Sequence, residues 1–163
     1  MNSRDVYLGN AEHFPHLKYT DESSLSAVEV LLACLHKELE QLHKEAEELA
    51  DEFWSYRNEG NEHRKTEDQS KLGIRAREKT KIVTLEWCHY RWNYHRKGSK
   101  PTPDYIKKGR EPGYQLAKLM KYAKDWERDF VEDIETRATR LREQSIQRVN
   151  LMNVLEKYID TQT

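Results

Sequence analysis

Two long series of apolar residues, one near each end of the chain, recur at helical spacing and leave few folds open. Val28, Leu32, Leu35, Leu39, Leu42, Ala46, Leu49 and Phe53 follow one another at steps of four and three, the seam of a helix that packs lengthwise on another helix. Leu116, Leu119, Ala123, Trp126, Phe130, Ile134, Ala138, Leu141, Ser145, Val149, Met152, Leu155 and Ile159 trace a second stripe close to 3.6 residues per turn, with no Gly or Pro after Gly113. Neither helix can bury its stripe alone, so the pattern predicts an antiparallel pair. Asp21, Ser23 and Ser24 offer N-caps for the first helix. With 36% of residues apolar and 35% charged, narrow helical stripes fit better than sheets buried on both faces, and the shape should be elongated.

Between the helices the pattern changes. Residues 58–70 are polar, contain Gly60 and lack a period, which reads as a loop. Residues 81–96 are rich in β-branched and aromatic side chains, as strands are. Their alternation is imperfect: Val83, Leu85 and Trp87 share one parity, and Tyr90, Trp92 and Tyr94 the other. A bulge near Cys88 and His89 would bring both trios to one face. "KGSKPTP" reads as a turn and "DYIKKG" as a return strand, with a third short strand expected near Gly73 to Arg77. The expected fold is mainly α: two long antiparallel, coiled-coil-like helices with an inserted basic β-hairpin. The expected map is a flexible tail over 1–20 and a single elongated domain over 21–163. Within it lie a helix over 24–57, a loop over 58–70, a hairpin module over 71–112 and a helix over 114–160.

Charge is distributed unevenly along this map. Lys71 to Arg110 holds 12 Lys or Arg against 3 Asp or Glu, whereas Met1 to Ser70 holds 7 against 16. A net charge of −1 therefore conceals a basic module on an acidic support, which points to a polyanionic partner and most economically to nucleic acid. A two-stranded ribbon fits the major groove of DNA, where Arg and Lys reach phosphates and guanine edges. The residues expected to bind are Arg91, Arg96, Lys97, Lys100, Lys107, Lys108 and Arg110, with Arg75, Arg77, Lys79 and Lys81 as a second group. Trp87, Tyr90, Trp92 and Tyr105 can serve either as the hairpin's own core or as a base-stacking platform, and core packing is the commoner use.

Other classes receive less support. The longest apolar run, near Val28 to Leu35, is too short to span a bilayer, and the first residues lack the hydrophobic region of a signal peptide. A cytoplasmic location is expected, with Cys34 and Cys88 reduced. Cys88, His89 and His95 match no zinc-ligand spacing, and His36 and His43 lie seven apart on one helix face. No metal or other cofactor is expected. Neither a phosphate loop nor a nucleophile elbow occurs, and Tyr105 lacks the histidine triad or acidic ligands that a strand-transferring tyrosine would need. The chain is not expected to be an enzyme.

The "LEW" strand followed by Arg91, the "YIKKG" return and the "YQLAKLMKYAKDWE" helix start carry a resemblance over roughly residues 80–145. This stretch resembles the MobI-like conjugative transfer proteins of integrative elements and related plasmids. The resemblance implies a small accessory protein that helps assemble the DNA-processing complex at the origin of transfer. Strand cleavage would fall to a separate relaxase, which, with other transfer proteins, becomes an expected partner. It supplies no catalytic residue to carry over and does not cover the acidic first helix. A homodimer through the surface widened by Leu25 and Leu31 is a further expectation. The alternative function is a helical adaptor without direct nucleic-acid binding.

Overall fold

The computed structural model describes residues 27–162, except 78, 79, 92–97 and 99. The expected tail over 1–20 and the cap residues Asp21, Ser23 and Ser24 lie outside the described residues. The elements are α1 (Ala27–Glu62), β1 (Leu72–Ala76), β2 (Leu85–Arg91), β3 (Thr102–Tyr105), the short α2 (Leu116–Met120), a 3-10 turn (Asp125–Glu127) and α3 (Arg128–Gln162). The protein is mainly helical, with helices against a three-stranded antiparallel sheet of order β1-β2-β3.

The two long helices run antiparallel. Glu38 meets Arg148 at 2.6 Å, Glu52 meets Arg137 at 2.7 Å, and Tyr56 stacks on Phe130 with ring centroids 3.8 Å apart. Leu32, Leu39, Leu42, Ala46, Leu49 and Phe53 of the first stripe are buried, as are Ile134, Ala138, Leu141, Ser145, Val149 and Met152 of the second.

The first helix ends five residues later than the sequence pattern indicates, running through Gly60 to Glu62. A helical glycine costs about 1 kcal/mol relative to alanine, yet here a Cβ would lie 2.5 Å from the Trp126 ring. The vacancy seats that ring, and the helix continues beneath it. Two of its last carbonyls are also satisfied: Gln69 Nε2 donates to that of Asn61 at 3.0 Å and Arg64 Nη1 to that of Gly60 at 2.5 Å.

The expected helix over 114–160 is a correction in the other direction. It is broken by an extended residue, Lys124, at φ −72° and ψ 152°. Glu127 Oε1 accepts the Lys124 N–H at 2.9 Å, so the fragment Lys124–Glu127 starts a new helix in the manner of a capping box. Leu119 and Ala123 before the break and Val131 and Ile134 after it are all buried, which is why the apolar period runs through it.

Glu127 is fully buried and its Oε2 has no hydrogen-bond partner among the described residues. Burial pushes its carboxyl above the ordinary value of 4.5, against the pull of the Ser70 hydroxyl, the Lys124 amide and the Arg57 and Lys124 cations. The folded state therefore holds this proton more tightly than the unfolded chain. Between the unfolded value and the raised folded one, folding takes up a proton, so stability falls as pH rises through that window. Glu127→Gln should flatten this slope in urea unfolding midpoints measured from about pH 4 to about pH 7. An unchanged slope would mean that Glu127 is not the titrating group.

Trp87 and its neighbours explain where the sheet sits. Leu72, Ile74, Leu85 and Trp87 are almost fully buried, and the Trp87 ring meets Phe53 of α1 edge-on at 5.0 Å. The chain entering β2 and the strand itself run beside α3, through Val83 to Ser145, then Leu85 to Arg142 and Trp87 to Glu135. The sheet thus lies along the flank of the long helices. Its apolar face has to be covered, and only the flank of the long helices offers enough surface.

The pairing through Leu85–Arg91 is regular, Leu72 opposite His89 through Ala76 opposite Leu85, then Cys88 opposite Tyr105 through Arg91 opposite Thr102. No bulge occurs at Cys88 and His89, so Tyr90 falls on the face opposite Trp87. Trp92 and Tyr94 lie outside the described residues. Both sheet edges are blunted. On β1, Trp54 Nε1 donates to the outward Ile74 carbonyl at 2.8 Å and Ser70 Oγ accepts the Leu72 N–H at 3.2 Å. On β3, Pro103 stands where an N–H would point outward, since the neighbouring Ile106 N–H bonds inward to Trp87 O.

Candidate nucleic-acid interface

The expected binding residues follow the course of β2, β3 and the segment after it. Arg91 closes β2 and is exposed, but its guanidinium is committed to Asp104 across the pair, with Nη2 to Oδ1 at 2.8 Å. Lys100, Lys107 and Arg110 are exposed. Lys108 is half-buried and its ammonium donates to the Glu111 carbonyl. Arg96 and Lys97 lie outside the described residues. Of the second group, Arg75 and Arg77 project from the end of β1, Lys81 donates to Asn153 Oδ1 at 2.7 Å, and Lys79 is outside the described residues.

What holds this segment is a buried polar hub that the sequence pattern does not reveal. Glu135 of α3 accepts from Trp87 Nε1 at 2.7 Å, the Tyr114 N–H at 2.7 Å, Thr139 Oγ1 at 2.9 Å and Arg142 Nη1 at 3.0 Å. Arg142 also donates to Pro112 O at 3.1 Å and to Leu85 O at 2.9 Å. Both side chains of the ion pair are almost wholly buried. One carboxylate and one guanidinium thus join α3, β2 and the chain at 112–114, so the basic residues at 107, 108 and 110 are anchored on both sides. Glu135 and Arg142 stand seven apart on a helix rich in charge, and their spacing alone does not distinguish them from surface residues.

Among the described residues no group of three or more His, Cys, Asp or Glu is placed so as to hold a metal ion. Cys88 and His89 point to opposite faces of the sheet, so they cannot share a ligand. His89 packs on Tyr122 at 5.0 Å. Burial, then the nearby Lys71, push its imidazole below the ordinary value of 6.5, with Asp104 opposing and Arg91 and Lys124 assisting. It adds little charge to the patch at neutral pH. Both cysteines are free thiols, and burial pushes that of Cys88 up.

A family model described as MobI protein matches residues 42–156, most of the chain. The chain belongs to the MobI family. That family is associated with conjugative transfer. The match begins in the middle of α1, so it takes in much of the acidic helix that the resemblance in the sequence leaves out, together with the whole sheet and most of α3. No curated protein and no solved structure matches this MobI family member. No described helix is long and apolar enough to cross a membrane.

Proposed function

We propose that this MobI family member is a non-catalytic, cytoplasmic, DNA-binding accessory factor that helps assemble the processing complex at the origin of transfer. Arg91, Arg96, Lys97, Lys100, Lys107, Lys108 and Arg110 would meet the DNA, and a relaxase or another transfer protein would be the protein partner. The observation that carries this reading is the contrast in charge compensation. Arginines that face α1 or the core are neutralised in place: Arg137 by Glu52 and Asp133, Arg148 by Glu38, Arg142 by Glu135. Among the described residues, Lys100, Lys107 and Arg110 have no carboxylate within ion-pair distance and are exposed. Uncompensated cations on the segments just before and just after β3 are what a phosphate backbone attracts.

Changing Lys97, Lys100, Lys107 and Lys108 together to Glu should abolish DNA retention in a gel-shift titration without lowering helicity by circular dichroism. Five phosphate contacts would also give log affinity a slope of about −4.5 against log salt on duplex DNA. Retention by the fourfold variant would remove this segment from the interface.

A second reading, a helical adaptor, draws on one observation. Leu151, Val154 and Tyr158 of α3 are 49%, 62% and 53% exposed and share one face of the helix at steps of three and four. A polyanion of any kind competing as well as DNA would favour this adaptor.

A further inference from the structure

The sheet has two faces: the helices cover one, and over the other, among the described residues, only Trp54 and Arg57 near the end of α1 reach, at the Tyr90 side. Regular register sends alternate residues to opposite sides: Leu72, Ile74, Leu85 and Trp87 go inward. Arg75, Glu86, Tyr90, Pro103 and Tyr105 go to the other side. There Tyr105 is 43% exposed, Arg75 and Arg77 are exposed, and Tyr90 is half-buried. A tyrosine left this open contributes little to the core, and an antiparallel sheet needs only one buried face.

The side chains on this open face are organised. Arg75 Nη1 on β1 donates to the Tyr105 hydroxyl on β3 at 3.2 Å, reaching across the intervening strand. Toward the other end, Tyr90 meets Trp54 of α1 at 5.9 Å, and the Arg57 guanidinium lies 4.8 Å from the Trp54 ring and 5.8 Å from Tyr90. Gly73 lies beneath this pair, and a Cβ there would stand 2.7 Å from the Tyr90 ring and 2.9 Å from Trp54. The absent side chain lets the rings meet over the strand. Among the described strand residues of this face the single acid is Glu86, and it is paired with Arg77 at 2.7 Å. Arg75 and Arg57 therefore leave the face with net positive charge.

We infer that this open face, with Tyr105, Tyr90, Arg75 and Arg57, is a stacking platform for single-stranded DNA. This deepens the DNA-binding reading above and rests on it. Aromatic rings and guanidinium planes on a cationic surface accept unpaired bases by stacking and cation–π contact, while the charge tracks the phosphates. A duplex offers no such bases, because its rings are already stacked and paired. A three-stranded face is also too broad for the major groove, which admits a helix or a two-stranded ribbon. The outward position of Tyr105 follows from the absence of a bulge in β2, which separates its face from that of Trp87.

The test compares a labelled oligothymidylate with a blunt duplex of equal length, using fluorescence anisotropy and the intact protein. Tyr105→Ala should weaken single-strand binding about 5- to 150-fold, the range expected for one stacked base, and leave duplex binding unchanged. Tyr105→Phe, which keeps the ring and loses the hydroxyl, should stay close to wild type. Matching thermal melting curves would show that the variants remain folded. Duplex binding without single-strand binding overturns the platform and leaves the basic segment standing, as does an equal loss on both probes. Failure of the wild-type protein to bind either probe overturns both readings.

Discussion

Glu135→Ala is expected to lower folding stability by about 3–5 kcal/mol, the cost of leaving a buried charge without its partner. Small domains are typically stable by about 5–15 kcal/mol, so the loss would be a large share of the total. The reason is specific to this site. Removing the carboxylate strands Arg142, whose Nη1 and Nη2 lie 3.0 and 3.3 Å from it, and deprives the Trp87 indole N–H and the Tyr114 amide of their acceptor. Urea unfolding monitored by tryptophan fluorescence would measure the effect. Replacing both ends, Glu135→Leu with Arg142→Met, should cost less than the sum of the two single changes, because no unpaired charge remains. Additive costs, or a single loss below about 1 kcal/mol, would mean that the hub is less closed than its burial indicates.

Trp87→Ala is the second large effect, expected at about 3–5 kcal/mol. The indole is fully buried, and it touches Phe53 of α1 on one side and Glu135 of α3 on the other. It is the side chain that fastens the sheet to both long helices. Trp87→Phe separates the two roles: it keeps most of the packing and removes only the N–H donor, so it should cost less, on the order of 1–2 kcal/mol. Because Trp87 and Glu135 share a hydrogen bond, their double variant should fall short of additivity by chemical denaturation. Equal losses for the alanine and phenylalanine variants would place the effect in the hydrogen bond rather than in the packing.

These two residues also show how much was legible beforehand. The parity of Val83, Leu85 and Trp87 identifies an inward-facing trio, and all three are buried. Glu135 could not be recognised in the same way. A glutamate in a charged helix is nearly always solvated, and only the arrival of β2 and of the chain at 112–114 makes it the centre of a core network. The same holds for Arg142, and for Trp54 and Arg57, which the heptad reading leaves as the unremarkable end of a helix.

The candidate site divides along a similar line. The sequence marks out the basic stretch because charge composition is additive along a chain. It does not indicate which cations are already compensated. Arg91 faces Asp104 because β2 and β3 pair in the register that puts Tyr90 opposite Pro103 and Arg91 opposite Thr102, bringing the two side chains to one side of the sheet. A bulge is a reasonable way to bring Leu85, Trp87 and Tyr90 together, since all are aromatic or apolar. The structure instead places Tyr90 with Trp54, where Gly73 leaves room for both rings. Local apolarity could not choose between these arrangements, because both set the Tyr90 ring against other aromatic groups.

By itself, then, the sequence determined the two long helices, the strand character between them and the separation of acidic from basic segments. All three are set by spacing and composition within a few turns of chain. Tertiary structure alone decided where the second helix breaks, that the sheet lies along the helices, and which carboxylate and guanidinium are buried together. It also decided which face of the sheet stays open. Each of these depends on groups distant in sequence meeting at a distance of a few ångströms, and desolvation, ion pairing and the covering of an apolar face have no energy until those groups are in contact.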